Sequence, residues 1–162
     1  MKKAFQLLVA GLVLLVLVGC ATTPDMVDME KKDFTLPLLG GGTVRLSSYL
    51  GRPVVLCFFA PGCGHCWNEA PRLEAAYQRY KDRGLVVLGV GTGREEALRA
   101  FVEGTGVTYP IAVDSDNRVS TPLYGVSWIP HNVFFNRSGK IVREKVGELS
   151  EEELETYIGE IL

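Results

Sequence analysis

Histidine is scarce in this chain: His65 and His131 are the only two among 162 residues. Only one pair of its four cysteines, Cys63 and Cys66, stands at C-x-x-C spacing. A structural zinc site takes four Cys or His ligands. With no second C-x-x-C to complete such a set, zinc is a poor reading of that pair, and no metal or other cofactor is expected. Basic surplus is also lacking. Seventeen Lys and Arg face nineteen Asp and Glu, for a formal net charge of −2, so nothing marks the chain as a nucleic-acid binder. No apolar run reaches the roughly 20 residues that a spanning helix needs. No internal repeat or low-complexity stretch appears, and the length suits one domain.

The first residues differ in kind from the rest. Lys2 and Lys3 give a positive start, and Leu7 to Val18 form an apolar run broken only by Ala10 and Gly11. This is the pattern of a secretory signal peptide; the alternative is an anchor that stays uncleaved. The run ends in Leu17-Val18-Gly19-Cys20, which resembles the bacterial lipobox, whose Cys is acylated and becomes the mature N-terminus. The expected organisation is a lipoprotein signal peptide over residues 1–19, a lipidated tether over 20–32 and one folded domain over 33–162. Cys20 would then hold the protein on a membrane, outside the cytoplasm, without a spanning helix.

In the folded part, Phe34 to Leu36 and Thr43 to Leu46 flank Gly40-Gly41-Gly42 and read as a hairpin. Val54 to Phe59 is a continuous apolar run after Pro53, as in a strand buried on both faces. From Cys66 the residues Ala70, Leu73, Tyr77 and Tyr80 share one helical face. Pro71 predicts a kink in that helix and Gly84 its end. Leu85 to Val90 is a second buried strand. Thr92 with Glu95 predicts a capping box for a helix that buries Leu98, Phe101 and Val102. Ile111 to Val113 is a short strand, and Asn132 to Phe135 pairs with Ile141 to Val146 across the turn at Asn136 to Gly139. Ser150 with Glu153 caps a last helix. Strands alternating with helices predict an α/β fold around a mixed sheet.

The stretch Phe58 to Trp67 carries the chemistry. A buried strand runs into a loop that feeds a helix, so the C-x-x-C sits at the helix's amino end. Free N–H groups and the helix dipole there favour negative charge, and a thiolate is both such a charge and the species that attacks disulfides. Cys63, before the first turn, is expected to be the exposed nucleophile. Cys66, one turn in, is expected to resolve the mixed disulfide. Gly64 leaves room for a partner chain. His65 can set a positive or dipolar group beside the thiolate, which makes the disulfide more oxidising. A permanent structural disulfide here would close so short a loop that it would stabilise little. Cys57, alone in the apolar strand, reads as a small core hydrophobe.

The chain from about residue 33 to its end resembles the TlpA/ResA-type membrane-anchored thioredoxin-like oxidoreductases. The matching features are Gly51-x-Pro53-Val54-Val55-Leu56, Phe58-Phe59-Ala60, Cys63-x-x-Cys66, Glu69 and Pro71. Later come Tyr109-Pro110-Ile111, Asp114, Tyr124-Gly125-Val126, Ile129-Pro130 and Gly139-Lys140-Ile141-Val142. The resemblance implies a thioredoxin-like fold, its central mixed sheet flanked by helices, with an N-terminal β-hairpin extension. It implies that Pro130 is a cis-proline beside the cysteines, which leaves the Ile129 backbone to bind a substrate strand. It also implies that Glu69 lies near the buried cysteine and moves the resolving thiol's proton, against the plainer reading of a solvated helix carboxylate. Gly62 departs from the family's frequent Trp. Cys57 stands where thioredoxins commonly have a buried acid. His131, Trp67 and Trp128 are expected either to flank the site or simply to pack.

The implied function is reduction of disulfides in exported proteins, as in cytochrome c maturation. Its partners would be protein thiols and disulfides, with electrons from a membrane thiol transporter, and the protein would be a monomer. His65 keeps a disulfide oxidase or isomerase open as the alternative. A peroxiredoxin would need P-x-x-x-T-x-x-C, and Thr is missing from that window. A copper-assembly protein would need C-x-x-x-C with a distant His, whereas the spacing here is two residues. A non-catalytic scaffold lipoprotein is the remaining class.

Overall fold

The computed structural model describes residues 27–162. The expected signal peptide and Cys20 lie outside the described residues. Among those described, no helix is long and apolar enough to cross a membrane.

The elements are α1 (Asp28–Lys31), β1 (Thr35–Pro37), β2 (Thr43–Arg45), β3 (Val54–Phe59), α2 (Gly64–Tyr80), β4 (Val86–Gly91), α3 (Glu95–Thr105), β5 (Ile111–Val113), β6 (His131–Phe135), β7 (Ile141–Val146) and α4 (Glu151–Ile161). A five-stranded sheet has the order β5-β4-β3-β6-β7. β3 runs parallel to β4, and β4 to β5, while β6 is antiparallel to β3 and β7 to β6. This is a thioredoxin-like α/β fold. β1 and β2 pair antiparallel as a separate two-stranded sheet, which reaches the sheet's edge where Leu38 bridges Ala112.

The continuous apolar run of β3 is explained by its central place. Every residue from Val54 to Phe59 is buried, and the side chains alternate between two cores. Val55, Cys57 and Phe59 face α2, α3 and α4. Val54, Leu56 and Phe58 face Met29, Phe34, Leu36, Leu46 and Tyr124. Each fully buried large side chain contributes roughly 1.5–3 kcal/mol.

Two expectations are corrected. The tether was expected to reach Lys32, but Met29 is already fully buried and its N–H donates to the Gly139 carbonyl. Met29, with Val27 packed against the same core, docks a largely polar stretch too short to show a helical or strand period. Thr92 does not cap α3. Arg94 is the N-cap residue there and makes no side-chain cap, because Thr92 extends the line of β4 and its N–H donates to the Phe59 carbonyl. α2 starts at Gly64, with Cys63 before its first turn and Cys66 one turn in as expected, and runs as one helix through Pro71 to Tyr80. A short 3₁₀ turn follows, and Gly84 closes it at φ 95°, a left-handed conformation that glycine adopts without steric cost. Ser150 and Glu153 do form the capping box of α4.

Candidate functional site

Cys63 is the N-cap of α2, and its sulfur accepts the Cys66 N–H at 3.2 Å. The two sulfurs are joined as a disulfide. Cys63 is half-buried and Cys66 buried, the asymmetry that separates an attacking from a resolving thiol. When the pair is reduced, the N–H already aimed at Cys63 Sγ and the helix dipole both favour its thiolate.

The approach to Cys63 is open. A side chain built at Gly62 or Gly64 would meet nothing within 4 Å. Trp67 packs away from this opening, its indole N–H donating to the Pro61 carbonyl at 2.8 Å and its ring meeting Phe101 at 4.9 Å. It thereby braces the loop that carries Cys63. On the other side the Ile129–Pro130 peptide is cis, and the Ile129 carbonyl lies 3.6 Å from Cys63 Sγ. Trp128, next to it, is 76% exposed.

Beneath the pair, one turn along α2 from Cys66, Glu69 is 1% exposed. Its carboxylate accepts the Leu149 N–H at 2.6 Å, the Asn132 amide at 2.9 Å and the Cys57 thiol at 3.5 Å. Burial pushes the Glu69 carboxyl above the usual carboxylate range, and the three donors act against that rise. Cys57 is therefore more than the small hydrophobe expected of it. Its thiol is a donor to Glu69, and burial followed by the carboxylate raises it well above the ordinary thiol range.

His65 is a surface residue whose Nδ1 lies 2.8 Å from Oε2 of Glu148. The other oxygen of Glu148 accepts from Arg72 at 2.8 Å. His131 is buried on the opposite face of the sheet from Cys57 and Glu69, edge-on to Phe58 with ring centroids 6.0 Å apart, and its Nε2 is 3.4 Å from Glu144. It does not border the opening above Cys63.

Sequence reasoning missed Asn132, Leu149, Glu148 and Arg72. Asn132 carried a signal in hindsight, as a lone amide in an apolar strand facing Cys57 across the ladder. Leu149 acts through its backbone, so its side chain held no clue. Among the described residues no cluster of three or more His, Cys, Asp or Glu could hold a metal ion.

The family described as AhpC/TSA matches residues 27–144. The thiol-disulfide oxidoreductase ResA of Bacillus thuringiensis (strain Al Hakam) is 29% identical over 133 residues, covering 82% of this chain and 76% of the relative. A structure assigned as the thiol:disulfide interchange protein DsbE from Chlorobium tepidum superposes with a TM-score of 0.75 at 30% identity, covering 80% of this chain and 92% of that one. A secreted Mycobacterium tuberculosis disulfide oxidoreductase homologous to E. coli DsbE gives 0.72 at 27% identity, with coverage of 81% and 98%.

Proposed function

Since the chain belongs to the AhpC/TSA family and is a thiol–disulfide oxidoreductase, we propose that it works outside the cytoplasm as a reductase of disulfides in exported proteins. The observation that carries this reading is the pair itself: a half-buried Cys63 sulfur at a helix N-terminus, beside a cis-proline loop, with Cys66 and Glu69 buried behind it.

In the proposed cycle the Cys63 thiolate attacks one sulfur of a substrate disulfide and releases the other as a thiolate. A mixed disulfide joins Cys63 to the substrate. Ile129 and Pro130 line the substrate side, and the Ile129 N–H has no backbone partner among the described residues, which leaves it for an extended substrate strand. Cys66 then loses its proton, attacks Cys63 Sγ and frees the second substrate thiolate, leaving the Cys63–Cys66 disulfide. Glu69, three residues on along the same helix face, takes the Cys66 proton. Two electrons from a membrane thiol transporter restore the dithiol. Oxidised haem-binding cysteines, which cytochrome c maturation needs as dithiols, are the substrate class that the resemblance to the TlpA/ResA type favours. The signal peptide over residues 1–19, the lipid on Cys20 and a monomeric domain complete the reading, and the likeness to a secreted Mycobacterium tuberculosis disulfide oxidoreductase supports the compartment.

His65 favours a second reading, oxidation or isomerisation of exported proteins, because a cation beside a thiolate makes a disulfide more oxidising. The reduction potential of the Cys63–Cys66 pair separates the two. A value near −270 mV, that of thioredoxin, is expected; a value near −120 mV, that of a strong periplasmic oxidant, would sink the reductase.

A further inference from the structure

Three consecutive residues between β7 and α4 reach Pro130, Glu69 and His65, three residues of the redox site. The Gly147 N–H donates to the Pro130 carbonyl at 2.8 Å. The Leu149 N–H donates to the buried Glu69 at 2.6 Å. Between them Glu148 points outward, one oxygen 2.8 Å from His65 Nδ1 and the other accepting from Arg72 at 2.8 Å. Arg72 also donates to the Leu149 carbonyl at 2.7 Å, so it fixes this loop by both side chain and backbone. The hydrogen bonds from His65 and then Arg72 hold the Glu148 carboxyl below the usual carboxylate range, as expected of a carboxylate that stays charged in a fixed place.

We propose that Glu148 is a positioning residue for thiol–disulfide exchange: it holds the His65 imidazole by Nδ1 and offsets its charge, which limits the oxidising strength that His65 would otherwise give the Cys63–Cys66 pair. This rests on reading the pair as an exchange site. A cation near Cys63 favours the thiolate, hence the reduced form, and makes the disulfide a stronger oxidant. Glu148 opposes this in two ways. It draws the ring to the loop side, and it places a fixed negative charge against it. Arg72 keeps its own charge and its Leu149 anchor. The Cys-Gly-His-Cys loop thus carries an oxidant's histidine under restraint, in line with a reductase.

The test uses the purified full chain equilibrated in glutathione redox buffers, with the oxidised fraction of the Cys63–Cys66 pair read by thiol alkylation and mass spectrometry. Glu148→Ala should move the equilibrium about threefold toward the dithiol, the scale of a solvent-exposed ion pair. Glu148→Gln, which keeps the loop's shape and loses the charge, should shift it less and with the same sign. In a His65→Ala background the Glu148→Ala shift should largely vanish, which a merely structural loop contact would not do. No shift, a shift toward the disulfide, or an equal shift without His65 overturns the proposal. A wild-type pair that never exchanges with glutathione would instead overturn the exchange reading beneath it.

Discussion

The two faces of β3 are built from consecutive residues and bury different chemistry. Val54, Leu56 and Phe58 enter a core of aliphatic and aromatic side chains, with the buried His131 at its end near Glu144. Val55, Cys57 and Phe59 enter a core that has a carboxylate in its middle: Glu69, held by Cys57, Asn132 and the Leu149 N–H. Burying a carboxylate is costly unless its oxygens are hydrogen-bonded, and no packing need explains Glu69 on a helix face otherwise lined by Cys66, Ala70, Leu73 and Ala76. The first face stabilises the fold. The second gives up some of that stability to hold a buried carboxylate behind a redox pair, the group proposed above to take the Cys66 proton.

Substitutions on each face should separate these tasks. The largest stability effect is expected from Leu56→Ala on the apolar face, about 2–5 kcal/mol, read by urea denaturation, with the activity of the folded fraction unchanged. Loss of activity at full stability would break the division. On the polar face, Glu69→Gln should slow resolution of the mixed disulfide about a hundredfold, the usual scale of a general acid–base group. It should also change the pH profile. Below its raised pKa Glu69 is protonated and cannot take the Cys66 proton, so wild-type activity should rise with pH along a limb lying above the ordinary Glu value of about 4.3, and the variant should lack that limb. The smallest effect is expected from Cys57→Ala, about 1 kcal/mol for one lost hydrogen bond. The thiol favours the charged form of Glu69, so its loss should move the acid limb to higher pH. A limb that stays in place would remove Cys57 from the account.

Much of this was legible along the chain wherever the signal is local. The run Val54–Phe59 announced a doubly buried strand, Cys63 and Cys66 announced their place at a helix start, and Ser150 with Glu153 announced α4. Pro130 was reached through resemblance to a family, not through its own neighbours. Contacts closed over long separations were not legible. Asn132 and Leu149 meet Glu69 from 63 and 80 residues away, and Glu148 meets His65 across 83. Thr92 shows a local rule overridden, since pairing with Phe59 occupies the backbone that a cap would have set. Met29 and Val27 show two apolar residues docking a stretch that reads as polar.

The central claim is that Cys63 is the activated thiol and Cys66 its buried resolver. The most direct measurement is the pH dependence of iodoacetamide alkylation of the reduced protein, with the adduct located by mass spectrometry. The predicted result is a first adduct on Cys63, on a titration that lies below the ordinary thiol value of about 8.5, with Cys66 untouched. A first adduct on Cys66, or a Cys63 titration at the ordinary thiol value, would contradict it.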